Sequence, residues 1–168
     1  MSLSTGHKVT LFVAILGAAV TVGVALYTLS PEMIHDEIQP PEYIPTYSSS
    51  DFHFKVSNDG GKPGSYYLMF NCKDESISFM KRSNEDYENE LGFGYALPKD
   101  DTDSWHISVK ANKSYTPENT SFTFTYVDAC GIIHDVESYT FYYDFDDGFN
   151  RYVYKEMKFD SKRTISFN

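Results

Sequence analysis

Cationic side chains are scarce in this chain: 14 Lys and Arg stand against 24 Asp and Glu among 168 residues, a formal charge of −10. A surface that acidic repels phosphate backbones and anionic headgroups, which argues against nucleic acid as a partner and for a cationic or calcium-bridged one. Cysteine is scarcer still, at two residues, so the chain has neither a disulfide-dense scaffold nor a zinc-type Cys/His spacing. There is also no Gly-x-Ser-x-Gly elbow and no Gly-rich phosphate loop. The expectation is a non-catalytic protein. Beyond residue 50 no window carries a convincing helical period.

What is present begins with residues 9–29, twenty-one positions without Asp, Glu, Lys, Arg or His. A bilayer's hydrocarbon core takes about 20 apolar residues as a helix, so this run predicts a transmembrane span. A cleaved secretory signal is the alternative, with Gly23, Val24 and Ala25 placing small residues before a cut. Signal h-regions usually run about 7–15 residues behind a basic segment, whereas this run is longer and only His7 and Lys8 precede it. The organisation expected is a short cytoplasmic head at 1–8, a signal anchor at 9–29 and the remainder outside the cell membrane. Without Lys8 that remainder holds 13 basic residues against 24 acids. Thr10, Ala14, Gly17, Thr21 and Thr28 recur on one helical face, where small and hydroxylated side chains let other transmembrane helices approach closely.

Residues 30–50 contain Pro31, Pro40, Pro41 and Pro45 and end in three serines, the composition of an extended, semi-rigid stalk. From 51 to 168 apolar residues alternate with a period of two. Phe52, Phe54 and Val56 share one face, as do Tyr66, Leu68, Phe70 and Cys72, and again Phe122, Phe124 and Tyr126. Further strands are expected at 77–81, 91–97, 105–109, 139–145 and 151–159, with a short one at 164–167. Turn residues separate them, among them Asn58-Asp59-Gly60-Gly61 and Asp146-Asp147-Gly148. Short strands with one apolar face predict an all-β, two-sheet antiparallel β-sandwich. Cys72 and Cys130 both keep the inward parity of their strands, so a disulfide between the sheets is expected. Its loop of about 58 residues would make it worth on the order of 4 kcal/mol. Two sequons, Asn112-Lys113-Ser114 and Asn119-Thr120-Ser121, make Asn112 and Asn119 candidate glycosylation acceptors.

The opening strand Phe52-His53-Phe54-Lys55-Val56-Ser57-Asn58 with its Gly-rich turn resembles the immunoglobulin-like, CARDB-type modules of microbial cell-surface proteins, over roughly residues 51–146. The resemblance implies an immunoglobulin-like sandwich as the ectodomain. Trp105 departs from antibody-type domains, whose core Trp follows the first Cys closely, and the final hairpin is extra. The layout is also similar to archaeal surface-motor accessory proteins, which carry one N-terminal span and a small β-sandwich. That likeness implies an extracytoplasmic protein, or a cell-wall or surface-layer component, as partner.

Three patterns bear on chemistry. Cys130-Gly131-Ile132-Ile133-His134 resembles part of the copper loop of cytochrome oxidase subunit II. Copper of that kind takes a thiolate, two imidazoles and usually a weak axial Met. Tyr126 and Glu137 stand where the loop's other Cys and its Met would be, so a structural Cys130 and a surface His134 are expected instead. Asp144, Asp146, Asp147 and Asn150 surround Gly148 with the hard oxygens that calcium prefers. The same residues are what a hairpin turn uses, and Asp100, Asp101 and Asp103 read the same way. His53 and His106 fall on the polar parity of their strands and are expected as exposed strand histidines. The function expected is that of a membrane-anchored extracytoplasmic binding or scaffolding protein with no resident cofactor. The alternatives are a copper- or calcium-binding or electron-transfer domain, or an accessory subunit of a larger membrane complex.

Overall fold

The computed structural model describes residues 30–44, 49–81, 86–111, 117–130, 133–149 and 151–166. The expected span at 9–29 with its face Thr10, Ala14, Gly17, Thr21 and Thr28 lies outside these residues, as do Asn112 and Asn150. Among the described residues no helix is long and apolar enough to cross a membrane.

Among the described residues ten strands follow one another: β1 (Met33–His35), β2 (Glu42–Ile44), β3 (Ser49–Asn58), β4 (Gly64–Asn71), β5 (Ile77–Met80), β6 (Glu90–Leu97), β7 (Thr102–Ala111), β8 (Asn119–Asp128), β9 (Ile133–Asp146) and β10 (Arg151–Ser166). They form two antiparallel sheets. In sheet A, β1 and β2 share one edge of β3, which pairs with β7, which pairs with β5; sheet B runs β10-β9-β8-β4-β6. The period of two sends alternate residues inward. Phe52 and Val56 of β3 meet Leu68 and Phe70 of β4 and Phe122 and Phe124 of β8 in one fully enclosed core. Its rings pack edge-on and tilted: Phe52 lies 5.3 Å from Phe70, 5.0 Å from Phe124 and 5.8 Å from Phe141, centroid to centroid. Such pairs add about 0.5–1.5 kcal/mol each beyond the area they bury. The architecture is therefore an all-β two-sheet sandwich.

The stalk expected at 30–50 is corrected in part. Residues 33–35 and 42–44 add two short strands to sheet A, and Ile38 between them is 4% exposed in the core. Proline is tolerated on a sheet edge, so a Pro-rich composition fits an edge strand as well as a free linker. Asn58 ties this segment down. Fully buried, it accepts from the N–H of Glu32 (3.3 Å) and of Gly60 (3.1 Å) and donates to the carbonyls of Lys62 (2.8 Å), Leu97 (3.0 Å) and Pro98 (3.2 Å). Gly60 is needed here because a Cβ would run into the backbone of residues 30–32.

The disulfide is corrected outright: Cys72 and Cys130 are both free thiols. Cys72 is buried as its parity requires, while Cys130 lies half-buried beyond the end of β8; and β8 runs antiparallel to β4, pairing Asn71 with Thr123 and Tyr66 with Asp128. The chain leaving β8 therefore passes the start of β4, where the Cys130 thiol faces the Ser65 carbonyl at 3.8 Å, while Cys72 follows the strand's far end. Seven residues of strand separate Ser65 from Cys72, roughly 23 Å, where a disulfide needs Cα atoms within about 7 Å. Hydrogen bonds link the sheets instead. Tyr66 of β4 donates to Asp103 Oδ2 at 2.6 Å and accepts from Trp105 Nε1 at 2.6 Å, both residues on β7. Burial, followed by the Asp103 hydrogen bond, pushes the Tyr66 hydroxyl well above its ordinary value.

Candidate functional site

Both sheets have five strands, but β1 and β2 share one edge of β3, so sheet A is four strands across where sheet B is five, and β10 is a terminal strand of sheet B. Register places Tyr152 opposite Phe145, Tyr154 opposite Tyr143, Met157 opposite Phe141 and Phe159 opposite Tyr139. The β9 partners Phe141 and Tyr143 lie on the core side, at 0% and 4% exposure. Their β10 neighbours continue that apolar row: Tyr152 and Met157 are partly buried against the core, while Tyr154 and Phe159 are 38% and 55% exposed. Bulges after Tyr154 and Phe159 let the 16-residue strand keep this row facing one way. Val153 is exposed on the strand's opposite face, and Phe149, in the turn before β10, lies 5.0 Å from the Arg151 guanidinium. Large exposed rings gathered in one stretch, rather than scattered singly, are the usual mark of an interaction surface.

The charge around this shelf differs from the rest of the chain. β10 carries five of the 14 basic residues: Arg151, Lys155, Lys158, Lys162 and Arg163. Lys155 pairs with Asp144 at 3.1 Å and Lys158 with Glu156 at 3.1 Å. Lys162 meets Glu137 at 2.7 Å. Glu137 also accepts from Tyr139 (2.8 Å) and faces His35 of β1 (3.2 Å), so it joins β10 and β9 to the edge of sheet A. Burial alone would raise its carboxyl, but the hydrogen bonds of Lys162 and Tyr139 outweigh that and hold it below the ordinary value. Lysines along an edge strand keep it from pairing indiscriminately. β10 is the terminal strand of its sheet, with one side on β9.

A second polar cluster lies at the other end of β8. A cleft of about 290 Å³ is lined by Asp74, Asn119, Thr120, Tyr142, Asp144 and Lys155, among others. Asp74 is its centre: it accepts from the Cys72 thiol (3.0 Å), the Ser76 N–H (3.1 Å), the Ser76 hydroxyl and the Thr120 hydroxyl (2.9 Å). Burial would raise this carboxyl, but those donors together lower it. The carboxylate is thus held by its own turn and by Thr120, and the cluster braces the β4–β5 turn against β8. Elsewhere, Lys81 reaches over the rings of Phe93 (4.4 Å), Tyr95 (4.7 Å) and Trp105 (4.9 Å) and bonds the Tyr95 hydroxyl, filling an aromatic box from within.

The residues singled out in the sequence do not gather into one site. Asp146 Oδ1 accepts from the N–H groups of Gly148 (2.9 Å) and Phe149 (3.2 Å), closing the β9–β10 turn, and Asp144 is held by Lys155. Asp147 is exposed. Cys130 and His134 belong to no converging group of three His, Cys, Asp or Glu side chains among the described residues. Asn119 is exposed as the first residue of β8, while its neighbour Thr120 is buried against Asp74. The apolar character of β10 was readable in the sequence; that Tyr154 and Phe159 stay exposed on a terminal strand was not.

No family model matches the chain, and no curated protein matches it. Among solved structures it is similar to the ASH/PapD-like domain of human CEP192, at 12% identity and a TM-score of 0.26, covering 66% of this chain and 72% of that one. It is also similar to a putative ApaA protein from Bordetella pertussis (9% identity, TM-score 0.26, 82% and 94% covered). A third is AvmM, which catalyses macrocyclization in alchivemycin A biosynthesis (9% identity, TM-score 0.25, 83% and 90% covered). At such scores these likenesses carry no argument about this chain, and its description as a sandwich rests on its own strand pairing.

Proposed function

We propose that this chain is a membrane-anchored, extracytoplasmic binding or scaffolding protein, non-catalytic, whose sandwich receives a partner along β10. The observation that carries the reading is the pair of exposed rings on β10, where Tyr154 and Phe159 continue the core face of sheet B into solvent on a strand that carries lysines. An apolar segment or surface of another extracytoplasmic protein, or of a cell-wall or surface-layer component, would complete that row, by the same burial that drives the core. The run at 9–29 supports the anchor, and the resemblance to immunoglobulin-like surface modules supports the placement outside the cell.

The test uses the full chain in its native membrane with a photo-crosslinking residue at Phe159 and, for comparison, at Tyr67 on β4. The expected result is a product of constant mass at 159 that disappears in a Tyr154→Ser background and is absent at 67. Equal labelling at both positions, or none at 159, would contradict the reading.

A further inference from the structure

Asp51 and His53 stand two residues apart on β3, on the side of sheet A that faces away from the core. The β3–β7 register sets His106 directly across from His53. Their rings meet edge to face, centroids 4.3 Å apart and planes at 81°. A single oxygen, Asp51 Oδ2, lies 3.3 Å from His53 Nε2 and 3.4 Å from His106 Nδ1. All three donor atoms fall within 4.8 Å of one another, the only such trio among the described residues.

We infer that Asp51, His53 and His106 form a binding site for one divalent transition-metal ion, of which Zn²⁺ is the representative. Two imidazoles and one carboxylate suit the borderline metals, whereas calcium and magnesium prefer oxygen alone. Zinc bonds imidazole nitrogen and carboxylate oxygen at about 2.0–2.2 Å, which sets the edges of a tetrahedral site near 3.3–3.6 Å. The two separations from Asp51 Oδ2 already match such edges. The imidazoles are 53% and 63% exposed, so an ion reaches them without any opening of the fold, and water is at hand for a remaining position. Glu42 stands opposite Asp51 on β2 and is exposed, at the register position for a second carboxylate. The ligands sit on paired strands rather than on a loop, so their spacing is fixed by the ladder. The site lies on sheet A and is independent of the β10 surface.

The competing account is that Asp51 merely accepts hydrogen bonds from two surface histidines, and it predicts no saturable metal. The full chain, made without a polyhistidine tag, purified in mild detergent, stripped with chelator and dialysed, is titrated with ZnCl₂ by calorimetry and with CoCl₂ by visible spectroscopy. The expected result is one equivalent of Zn²⁺ and the intense visible bands of tetrahedral Co²⁺. His53→Ala and His106→Ala should each weaken Zn²⁺ binding by more than the roughly 10–100-fold that loss of an outer partner of a ligand costs. Both positions are exposed, so an unchanged circular dichroism spectrum and melting temperature in the absence of metal should accompany the loss. Asp144→Asn at the hairpin tip should leave binding as it is. Absence of a saturable site in the parent chain, or undiminished binding in the His53→Ala/His106→Ala double variant, would overturn the inference.

Discussion

The tip of the β9–β10 hairpin and the outer face of sheet A both collect metal-type ligands, and they use them in opposite ways. At the tip, Asp144, Asp146 and Asp147 are neighbours in sequence, yet Asp146 is taken up by the N–H groups of its own turn and Asp144 by Lys155. On sheet A, Asp51 and His106 are 55 positions apart and share a 3.4 Å contact. Acids adjacent in a β chain serve local turns, because their short side chains reach the backbone two residues on. Side chains converge where register sets them directly opposite. At Asp146 sequence proximity makes a turn, and between His53 and His106 strand pairing makes a cluster.

The sharpest way to break that contrast is to remove a polar side chain that reaches Glu32, Leu97 and Pro98, far off in sequence, as well as its own turn. Asn58→Ala would take the partner from the buried Leu97 carbonyl and Gly60 N–H and from the part-buried Glu32 N–H and Lys62 and Pro98 carbonyls. At about 1–3 kcal/mol for each unsatisfied group, the expected loss is about 3 kcal/mol or more in a urea titration. Asp146→Ala removes an equally well-made but local and exposed pair of hydrogen bonds and should cost only about 0.5–1.5 kcal/mol. Equal losses for the two variants would erase the distinction.

Acid sharpens it further. Asp74 and Glu137 are both held below their ordinary values of 3.8 and 4.5, against the upward push of burial, Asp74 by Cys72, Ser76 and Thr120 and Glu137 by Lys162 and Tyr139. A carboxylate lowered by folding contributes stability that is complete above its unfolded value and is lost as pH falls through the folded one. Melting temperature should therefore hold steady down to about pH 5 and fall progressively below it. Asp74→Asn should start less stable at neutral pH and fall less steeply in acid. An identical slope in the variant would remove Asp74 from the account.

Much of the fold could be read from alternation alone. Phe52, Phe54 and Val56, and Phe122, Phe124 and Tyr126, are inward as their period requires, and His53 and His106 are on the polar side. Alternation gives the face of a strand, not its neighbour. It therefore placed Cys72 and Cys130 on core faces without revealing that they lie toward opposite ends of β4, and it set two histidines outward without revealing that they are opposite each other. The segment at 30–44 escaped for another reason. Its prolines mark extended backbone, which is equally the backbone of an edge strand, and only Ile38 hinted at burial.

The β4–β8 register underlies the core, the correction of the disulfide and the position of β10, and the cysteines report on it directly. Both thiols are raised above their ordinary 9.0 by burial, Cys72 with help from Asp74 and Cys130, with Asp128 contributing, up to about 12. Both should be protonated and slow to react until the fold opens. The decisive measurement is non-reducing peptide mapping of protein from its native host, alkylated as it is denatured. The account predicts alkylated Cys72 and alkylated Cys130 on separate peptides; a peptide pair joined through Cys72 and Cys130 would contradict it, because no β4–β8 pairing with Asn71 opposite Thr123 brings those sulfurs together.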